Sequence, residues 1–420
     1  MKRRTALAAA LAAMLISTLL VPAAAGQVSD YRQIQKPPLP PFQPQEPKRI
    51  VLTNGMVIFL QEDHELPLIS VSAAVRGGAR EEPAEKVGLA SIYSQAWRTG
   101  GTKTKTGDEL DTLLEARAAL VESSGDADST GLSLSALKGD FDQVFAVFLD
   151  LLQHPEFRQE KIDLAKTQEN TSISRRNDSF TSLASREGAK LAYGAKNPYA
   201  RHTEYATVAA VTRDDLLTWH QATVHPNNII LGVTGDFDPA AMEAKLRKAF
   251  ASWTKGPAMT AAKIEFEHPK PGLYFIQKDD VNQSAIRMVD LGIRRDDPDY
   301  YAVEVFNELF GGSSSARLFS NIRSKKGLAY AVGGGVGTTF DHPGILQLVM
   351  TTKSGTTAES IDALYREVDD ILGPKPPTEA ELKRSKESIL NSFVFRFDSK
   401  DKILNERINY EFYGYPADFL

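Results

Sequence analysis

Residues 311–332, GGSSSARLFSNIRSKKGLAYAV, contain the signals for a turn, a short helix and a strand in immediate succession. Two glycines and three serines are typical of a turn, and from Ala316 onward the apolar residues recur at helical spacing. Two lysines suit the negative end of the helix dipole, and Gly327 is a typical C-cap. Residues 328–332 then predict a strand, so the stretch indicates a helix followed directly by a strand.

This geometry places Arg323 at the end of the helix and Tyr330 just inside the strand, where a guanidinium and a phenol can face the same space. Both residues also have a plain structural interpretation. In that interpretation Arg323 is a solvated cation at a helix end and Tyr330 is an ordinary strand aromatic. Periodicity alone favours the structural interpretation.

The composition is that of an ordinary globular protein without cysteine. The chain has 420 residues, enough for two or three domains, with 42% hydrophobic and 25% charged residues. A net charge of −5 and the lack of a basic, aromatic-studded stripe argue against nucleic-acid binding. The absence of cysteine excludes disulfides, thiolate zinc sites and a cysteine nucleophile.

The first residues have the layout of a secretory signal. A positive Lys-Arg-Arg start, an Ala/Leu-rich apolar run and an Ala-Ala-Ala end predict a signal peptide over residues 1–25. An uncleaved membrane anchor is the alternative. Cleavage predicts a periplasmic or secreted protein without stable membrane insertion. Residues 26–47 form a proline-rich, extended leader.

The remaining sequence alternates between strand and helix patterns. In the first half the predicted elements are a hairpin over 49–61 around Asn54-Gly55, a strand over 68–75, helices over 87–97 and 108–120, a strand over 131–136, helices over 141–152, 159–175 and 180–193, a helix from Thr212, and a strand over 228–234.

The second half repeats this order. Its predicted elements are strands over 272–277 and 345–351 and helices over 299–310 and 361–372, and Tyr413-Gly414 echoes Tyr193-Gly194. The repeat predicts an α+β fold of two homologous units, 48–255 and 263–420, each an antiparallel-rich sheet packed with helices and related by internal duplication. The second unit is expected to be truncated at its C-terminus, since a missing last strand would leave an open sheet edge.

Several short motifs occur in a characteristic order. They are LTNGM at 52–56, Arg80-Glu81, Gly88-Leu89-Ala90, DDPDYY at 296–301, Gly311-Gly312, Arg317-Leu318-Phe319, Arg323 and GLAY at 327–330. Together, over residues 48–420, they resemble the pitrilysin and mitochondrial-processing-peptidase family of zinc metallopeptidases (inverzincins). Each motif is weak alone, but their order and spacing are specific.

The chain departs from this family at the metal motif. The resemblance implies H-x-x-E-H directly after Gly-Leu-Ala, with two histidines on zinc and the glutamate as base. Here Ser91, Ser94 and Gln95 take the histidine, glutamate and histidine positions. At the family's distance to the third ligand stands Ser172, with Glu169 one turn earlier if the spacing slips. Serine and a neutral amide cannot replace imidazole and carboxylate, so the sequence predicts no zinc and no other cofactor on this chain.

No other catalytic constellation is present in the sequence. None of the seven histidines forms H-x-x-x-H or H-x-x-E-H, and His220 and His225 are five residues apart, on different helix faces. There is no G-x-S-x-G and no G-K-[ST] phosphate loop. The histidines are therefore interpreted as structural or surface residues.

Arg323 and Tyr330 match the family's retained pair, and this match reverses the preference for the structural interpretation. The resemblance implies that the pair holds the substrate backbone and stabilises the oxyanion, opposite a zinc site in another half or chain. We therefore expect a non-zinc subunit of a heterodimeric metallopeptidase that cleaves unfolded peptides and is inactive alone. A homologous partner would supply zinc and the general base. The alternatives are a structural or peptide-binding relative and a self-contained enzyme with an unrelated site.

Overall fold

The predicted hairpin at Asn54-Gly55 is confirmed and begins the largest sheet of the described chain. In the computed structural model, which describes residues 43–419, β1 (Lys48–Val51) pairs antiparallel with β2 (Val57–Glu62). Gly55 has φ +89°, a conformation that glycine adopts without strain. The Asn54 amide donates to the backbone carbonyls of Phe250 and Trp253, each at 3.0 Å, and so ties the turn to the end of a distant helix.

The larger sheet has six strands in the order β1-β2-β6-β3-β5-β4. Its pairings are antiparallel except that of β2 with β6, which is parallel. Alternate residues of β3 are buried, whereas β6 is buried along nearly its whole length, as expected for a central strand. The other four strands are β3 (Leu68–Arg76), β4 (Leu120–Gly125), β5 (Ser129–Leu137) and β6 (Ile229–Gly235).

Eight helices accompany this sheet within the described residues. They are α1 (Leu89–Thr99), α2 (Gly107–Glu115), α3 (Phe141–Gln153), α4 (Gln159–Arg175), α5 (Phe180–Tyr193), α6 (Tyr205–Ala210), α7 (Arg213–Thr223) and α8 (Pro239–Phe250). The prediction of one helix over 108–120 is wrong at its end. The chain reverses at Ala118, which has φ +48°, and Leu120 already belongs to β4.

The second sheet contains β7 (Gln283–Leu291), β11 (Ile345–Lys353) and β9 (Ala331–Gly335), all antiparallel and in that order. A short parallel pair, β8 (Ile293–Arg294) and β10 (Thr338–Thr339), lies beside the turns of this sheet. Helices α9 (Tyr300–Phe310), α10 (Thr357–Leu372) and α11 (Glu379–Phe393) accompany this sheet, and α12 (Lys400–Tyr413) follows them in the chain. The sheet, α9 and α10 bury a separate core around Phe310, Leu348 and Leu364.

The predicted strand over 272–277 is wrong, because these residues form no strand and remain exposed. Leu273 is 86% and Phe275 is 82% exposed. The strand that they resemble, β2, is held between β1 and β6. Among residues 43–419 no strand corresponding to β6 lies beside the second sheet, so this apolar segment has no partner to pair with.

Two helices cross between the sheets. Helix α5 packs on β7, where a methyl group in place of the Gly188 hydrogen would lie 3.3 Å from Arg287 Cδ. Helix α12 packs on the first sheet, where its Leu404 and Ile408 are buried against Phe59 and Ile230. These helices end at the two matched Tyr-Gly pairs of the sequence. The duplication, the truncation and the unit boundaries 48–255 and 263–420 stay predictions.

From Gln45 onward the described chain forms one compact unit. The predicted signal peptide and residues 26–42 of the leader lie outside the described residues. In the part that is described, no helix combines the length and apolar character needed to cross a membrane.

Candidate functional site

Helix α1 carries three of the predicted site residues and begins at a tightly built turn. Gly88 has φ +106°, and Glu82 accepts hydrogen bonds from the backbone N–H groups of Gly88 and Ala90 at 3.0 and 2.6 Å. The Glu82 carboxyl thereby satisfies donors that the first helical turn leaves free. Burial raises its pKa, while the two N–H donors act in the opposite direction.

Ser91, Gln95 and Glu169 form one closed hydrogen-bonded cluster between α1 and α4. The Ser91 hydroxyl donates to Glu169 Oε1 at 2.5 Å, and the Gln95 amide donates to the same oxygen at 3.0 Å and to Ser91 Oγ at 3.1 Å. The cluster satisfies its own donors. It is therefore a link between two helices rather than a set of free ligands.

Ser94 and Ser172 do not join this cluster. Ser94 is buried and donates to the Ser91 carbonyl at 3.0 Å, and its own carbonyl accepts from Ser123 Oγ at 2.5 Å. Ser172 donates to the Gln168 carbonyl of its own helix at 3.1 Å. The structure thus brings Glu169, rather than Ser172, to the position opposite Ser91 and Gln95.

The donor set at this position does not fit zinc. Structural and catalytic zinc sites use thiolates, imidazoles and carboxylates, with at least three protein ligands. Ser91, Gln95 and Glu169 provide one carboxylate, one hydroxyl and one amide, and each is engaged by the others. Across residues 43–419, no group of three or more His, Cys, Asp or Glu side chains is arranged to hold a metal ion.

Tyr93, on the opposite side of α1, makes a buried pair with His220 of α7. The Tyr93 hydroxyl lies 2.8 Å from His220 Nδ1. Burial lowers the pKa of His220 to about 3, so the imidazole is neutral and its Nδ1 accepts a hydrogen bond from the Tyr93 hydroxyl. Burial also raises the pKa of Tyr93 well above its ordinary value. The pair therefore belongs to the core, in agreement with the structural interpretation of this histidine.

Arg323 and Tyr330 lie side by side, as predicted. The Arg323 guanidinium is 5.6 Å from the Tyr330 ring centroid and 4.7 Å from that of Phe319. The Tyr330 N–H donates to the Thr351 carbonyl at 3.1 Å. This places Tyr330 directly before β9, one residue outside the strand in which it was predicted.

The predicted short helix that carries Arg323 is present and is a π-helix, Phe319–Lys325. It is anchored by the fully buried Leu318 and Ile322, and Gly327 ends it with φ +65°, as predicted. Such wide turns often occur at functional sites.

Arg323 and Tyr330 are both exposed, Tyr330 to 79%. Within residues 43–419, neither side chain makes an ion pair or a hydrogen bond. Nor does a hydrogen bond, ion pair or ring contact among the described residues join them to the Ser91 cluster. The pair is thus available to bind a molecule from outside.

A charged cluster around Arg80 was not predicted. Sequence reasoning noted Arg80 only as a family landmark and missed its partners Asp128, Tyr199 and Asp341. The available signal was an acidic residue in each of the turns that precede β5 and β11.

Two family models match the chain. The model described as insulinase, peptidase family M16, matches residues 57–203. The model described as peptidase M16 inactive domain matches residues 210–389.

Several curated relatives carry contrasting names. The non-peptidase homolog YmxG of Helicobacter pylori is 24% identical over 370 residues, which cover 86% of this chain and 83% of the relative. The uncharacterized zinc protease YmxG of Bacillus subtilis is 23% identical over 357 residues, 84% of this chain and 85% of the relative. The probable inactive metalloprotease YmfF of Bacillus subtilis is 33% identical over 140 residues, 32% of each chain.

Two solved structures share the fold. The peptidase M16 inactive domain from Pseudomonas fluorescens superposes with a TM-score of 0.79 at 24% identity and covers 89% of both chains. A protease from Helicobacter pylori superposes with a TM-score of 0.76 at 17% identity, covering 89% of this chain and 90% of the other.

Proposed function

The chain belongs to peptidase family M16, and from that membership we propose that it is the zinc-free subunit of a two-chain metallopeptidase that cleaves unfolded peptides. Its partner is a homologous chain that supplies zinc and the general base. This subunit supplies Arg323 and Tyr330 and has no peptidase activity alone. The predicted secretory signal over residues 1–25 supports a periplasmic or secreted location.

Inactivity in isolation is supported by the chemistry at α1. Ser91 and Gln95 lack the imidazoles that hold the family's zinc, and Ser94 lacks the carboxylate that acts as base. The remaining carboxylate, Glu169, is engaged by Ser91 and Gln95. The names of two relatives, a non-peptidase homolog and a probable inactive metalloprotease, agree with this proposal.

The observation that carries the proposal is the exposed pair of Arg323 and Tyr330, whose side chains make no hydrogen bond or ion pair within residues 43–419. A guanidinium and a phenol that face solvent together can donate hydrogen bonds to the backbone of an extended peptide. They can also donate to an oxygen that gains charge during amide cleavage. Removing a donor of this kind costs an enzyme about 3 kcal/mol of transition-state stabilisation. The pair acts without a metal on its own chain.

The test is substitution in the assembled complex, purified from the native source. We expect Arg323→Ala and Tyr330→Phe each to lower kcat/KM by about 10²–10³-fold while the amount of complex stays unchanged. Lys326→Ala and Tyr365→Phe are matched controls, because both residues are exposed and lie outside the pair. Their activities should remain within about twofold of the unaltered complex.

A second candidate is a catalytically inactive structural or peptide-binding member of the family. The exposure of Tyr330 suits peptide binding as well as catalysis, and the H. pylori relative is named a non-peptidase homolog. Under this alternative the Arg323 and Tyr330 variants weaken peptide binding at most. Any complex that contains them then cleaves peptides at the rate of the unaltered complex.

A further inference from the structure

Arg80 lies between two turns that belong to different sheets. It is about one-tenth exposed and sits in the short helical turn Ala79–Glu81. Its Nη1 lies 3.1 Å from Asp128 Oδ1, in the turn before β5, and also pairs with Asp341, in the turn before β11. The same nitrogen donates to the Tyr199 hydroxyl at 2.8 Å. One buried cation therefore joins a carboxylate of the first sheet to a carboxylate of the second.

Each of these turns also accepts a hydrogen bond from a tyrosine of a crossing helix, and the Tyr413 ring in addition stacks on Phe340 of the second turn with a centroid distance of 4.7 Å. Tyr413, the last residue of α12, donates its hydroxyl to Asp128 Oδ2 at 2.7 Å. Tyr193, the last residue of α5, donates its hydroxyl to the Pro343 carbonyl at 2.7 Å. Both helices thus end on the turns that Arg80 connects.

Aromatic stacking also holds the turn before β11 against Tyr199, which follows α5 in the chain. The His342 ring stacks on Tyr199 with a centroid distance of 3.8 Å and an interplanar angle of 19°. Its Nδ1 lies 2.8 Å from Asp341 Oδ1. Tyr199 also donates to Asp128 Oδ1 at 2.7 Å. The two turns are consequently connected by the ion pairs of Arg80 and by the stacking of His342 on Tyr199.

We propose that Arg80, Asp128 and Asp341 form a latch that makes the local opening of α5 and α12 one cooperative event. Asp128 divides its two oxygens between Tyr199 and Tyr413, so release of Tyr413 leaves a half-buried carboxylate partly unpaired. Such a group is stabilised only by its remaining partners, Arg80 foremost. Arg80 then shifts toward Asp128 and weakens its contact with Asp341, and with it the turn that holds Tyr193. Opening at the end of α12 therefore also promotes opening at the end of α5.

The test is hydrogen exchange on the full chain, which needs neither a partner nor peptidase activity. Tyr413→Phe removes one hydroxyl that donates to a carboxylate, a change that speeds local opening by about tenfold. We expect this acceleration in peptides covering residues 405–416 and, to a similar degree, in those covering 188–194 and 339–345. Peptides covering α3 should exchange as in the unaltered protein.

Tyr410→Phe is the matched control. Tyr410 also lies on α12 and donates its hydroxyl to a carboxylate, that of Glu406 at 2.6 Å, so the variant removes no hydrogen bond to either turn. Its ring, which the variant keeps, lies 6.5 Å from the Phe340 ring of the second turn. This variant should speed exchange only in α12.

A second pair of variants is Arg80→Met and Arg98→Met. Arg98 is equally buried and bonds to Asp111 and the Val121 carbonyl. Arg80→Met should speed exchange at both turns, and Arg98→Met at neither.

The proposal is overturned if Tyr413→Phe accelerates α12 while residues 188–194 and 339–345 exchange unchanged. If Arg80→Met does not fold, the comparison of Tyr413→Phe with Tyr410→Phe decides by itself. Equal effects of these two tyrosine variants at residues 339–345 would also contradict the latch.

Discussion

Glu169 accepts a serine hydroxyl and a glutamine amide on one carboxylate oxygen, and this arrangement defines the chemistry that remains between α1 and α4. The sequence predicted the loss of both histidine positions. It left open whether Ser172 or Glu169 takes the third position, because residues three apart on α4 differ by less than one turn. Only the packing of α4 against α1 selects the turn that faces Ser91.

The geometry makes Ser91 and Gln95 suitable places for new ligands. They are four residues apart on one helix face, so Ser91→His together with Gln95→His places two imidazoles opposite Glu169. We expect this double variant to retain zinc after dialysis, measured as metal per chain, and the unaltered protein to retain none. Adding Glu169→Ala should abolish the retention, whereas adding Ser172→Ala should not. Loss of zinc on adding Ser172→Ala but not Glu169→Ala would show that Ser172, and not Glu169, faces Ser91 and Gln95.

The buried His220 predicts how the free energy of unfolding depends on pH. Its pKa is lowered from 6.5 to about 3 by burial, so the unfolded chain binds a proton below pH 6.5 that the folded chain rejects until about pH 3. Stability from this group is therefore full above pH 6.5 and is lost as the pH falls toward 3. Between pH 7 and pH 5 the loss amounts to about 2 kcal/mol.

Urea unfolding at these two pH values measures the loss. His220→Gln, which cannot titrate, should lose about 2 kcal/mol less on acidification than the unaltered protein. His268→Gln is the control, because His268 is exposed and pairs with Asp290 on the surface. A pH response of His220→Gln identical to that of the unaltered protein would contradict the assignment.

At the scale of elements, the bounds of a helix or strand were predicted correctly where its own sequence contains the residues that start and end it. The bounds of α4 and α5 agree with the prediction to the residue. Prediction was wrong where tertiary contacts decide. The segment 272–277 has a strand-like sequence but no neighbouring strand among residues 43–419, and β4 follows a reversal at Ala118 that no glycine or proline marks.

Helix α12 gives a prediction for stability. Its Ile408 is 6% exposed and packs with Phe59 and Ile230 on the far side of the first sheet. We expect Ile408→Ala to lower the free energy of unfolding by about 2–4 kcal/mol, from lost burial and the cavity left behind. Urea denaturation measures this change.

The control for Ile408 lies on α11. Leu390 is 72% exposed, so Leu390→Ala should change the free energy of unfolding by less than about 0.5 kcal/mol. Comparable losses in the two variants would mean that α12 does not pack on the sheet as described. A loss in Ile408→Ala alone would support the crossing arrangement.

At the scale of the whole molecule, the sequence repeat predicted two α+β units but not how they exchange helices. Two echoed Tyr-Gly pairs marked the ends of α5 and α12, yet nothing in them indicated that each helix crosses to the other sheet. The Arg80 cluster was missed for the same reason, because its members are brought together by the fold and not by spacing in the chain. Arg323 and Tyr330 were predictable, since seven residues separate them and a single turn joins their elements.

The division of labour between two chains is the central claim, and native purification tests it most directly. The full-length protein is isolated from its own source, its companions are identified by mass, and zinc is measured per chain. We predict one zinc per pair of chains, carried by a companion of similar size with H-x-x-E-H, and no peptidase activity in this chain when separated. Zinc bound to this chain alone, or peptide cleavage by it in isolation, would contradict the account.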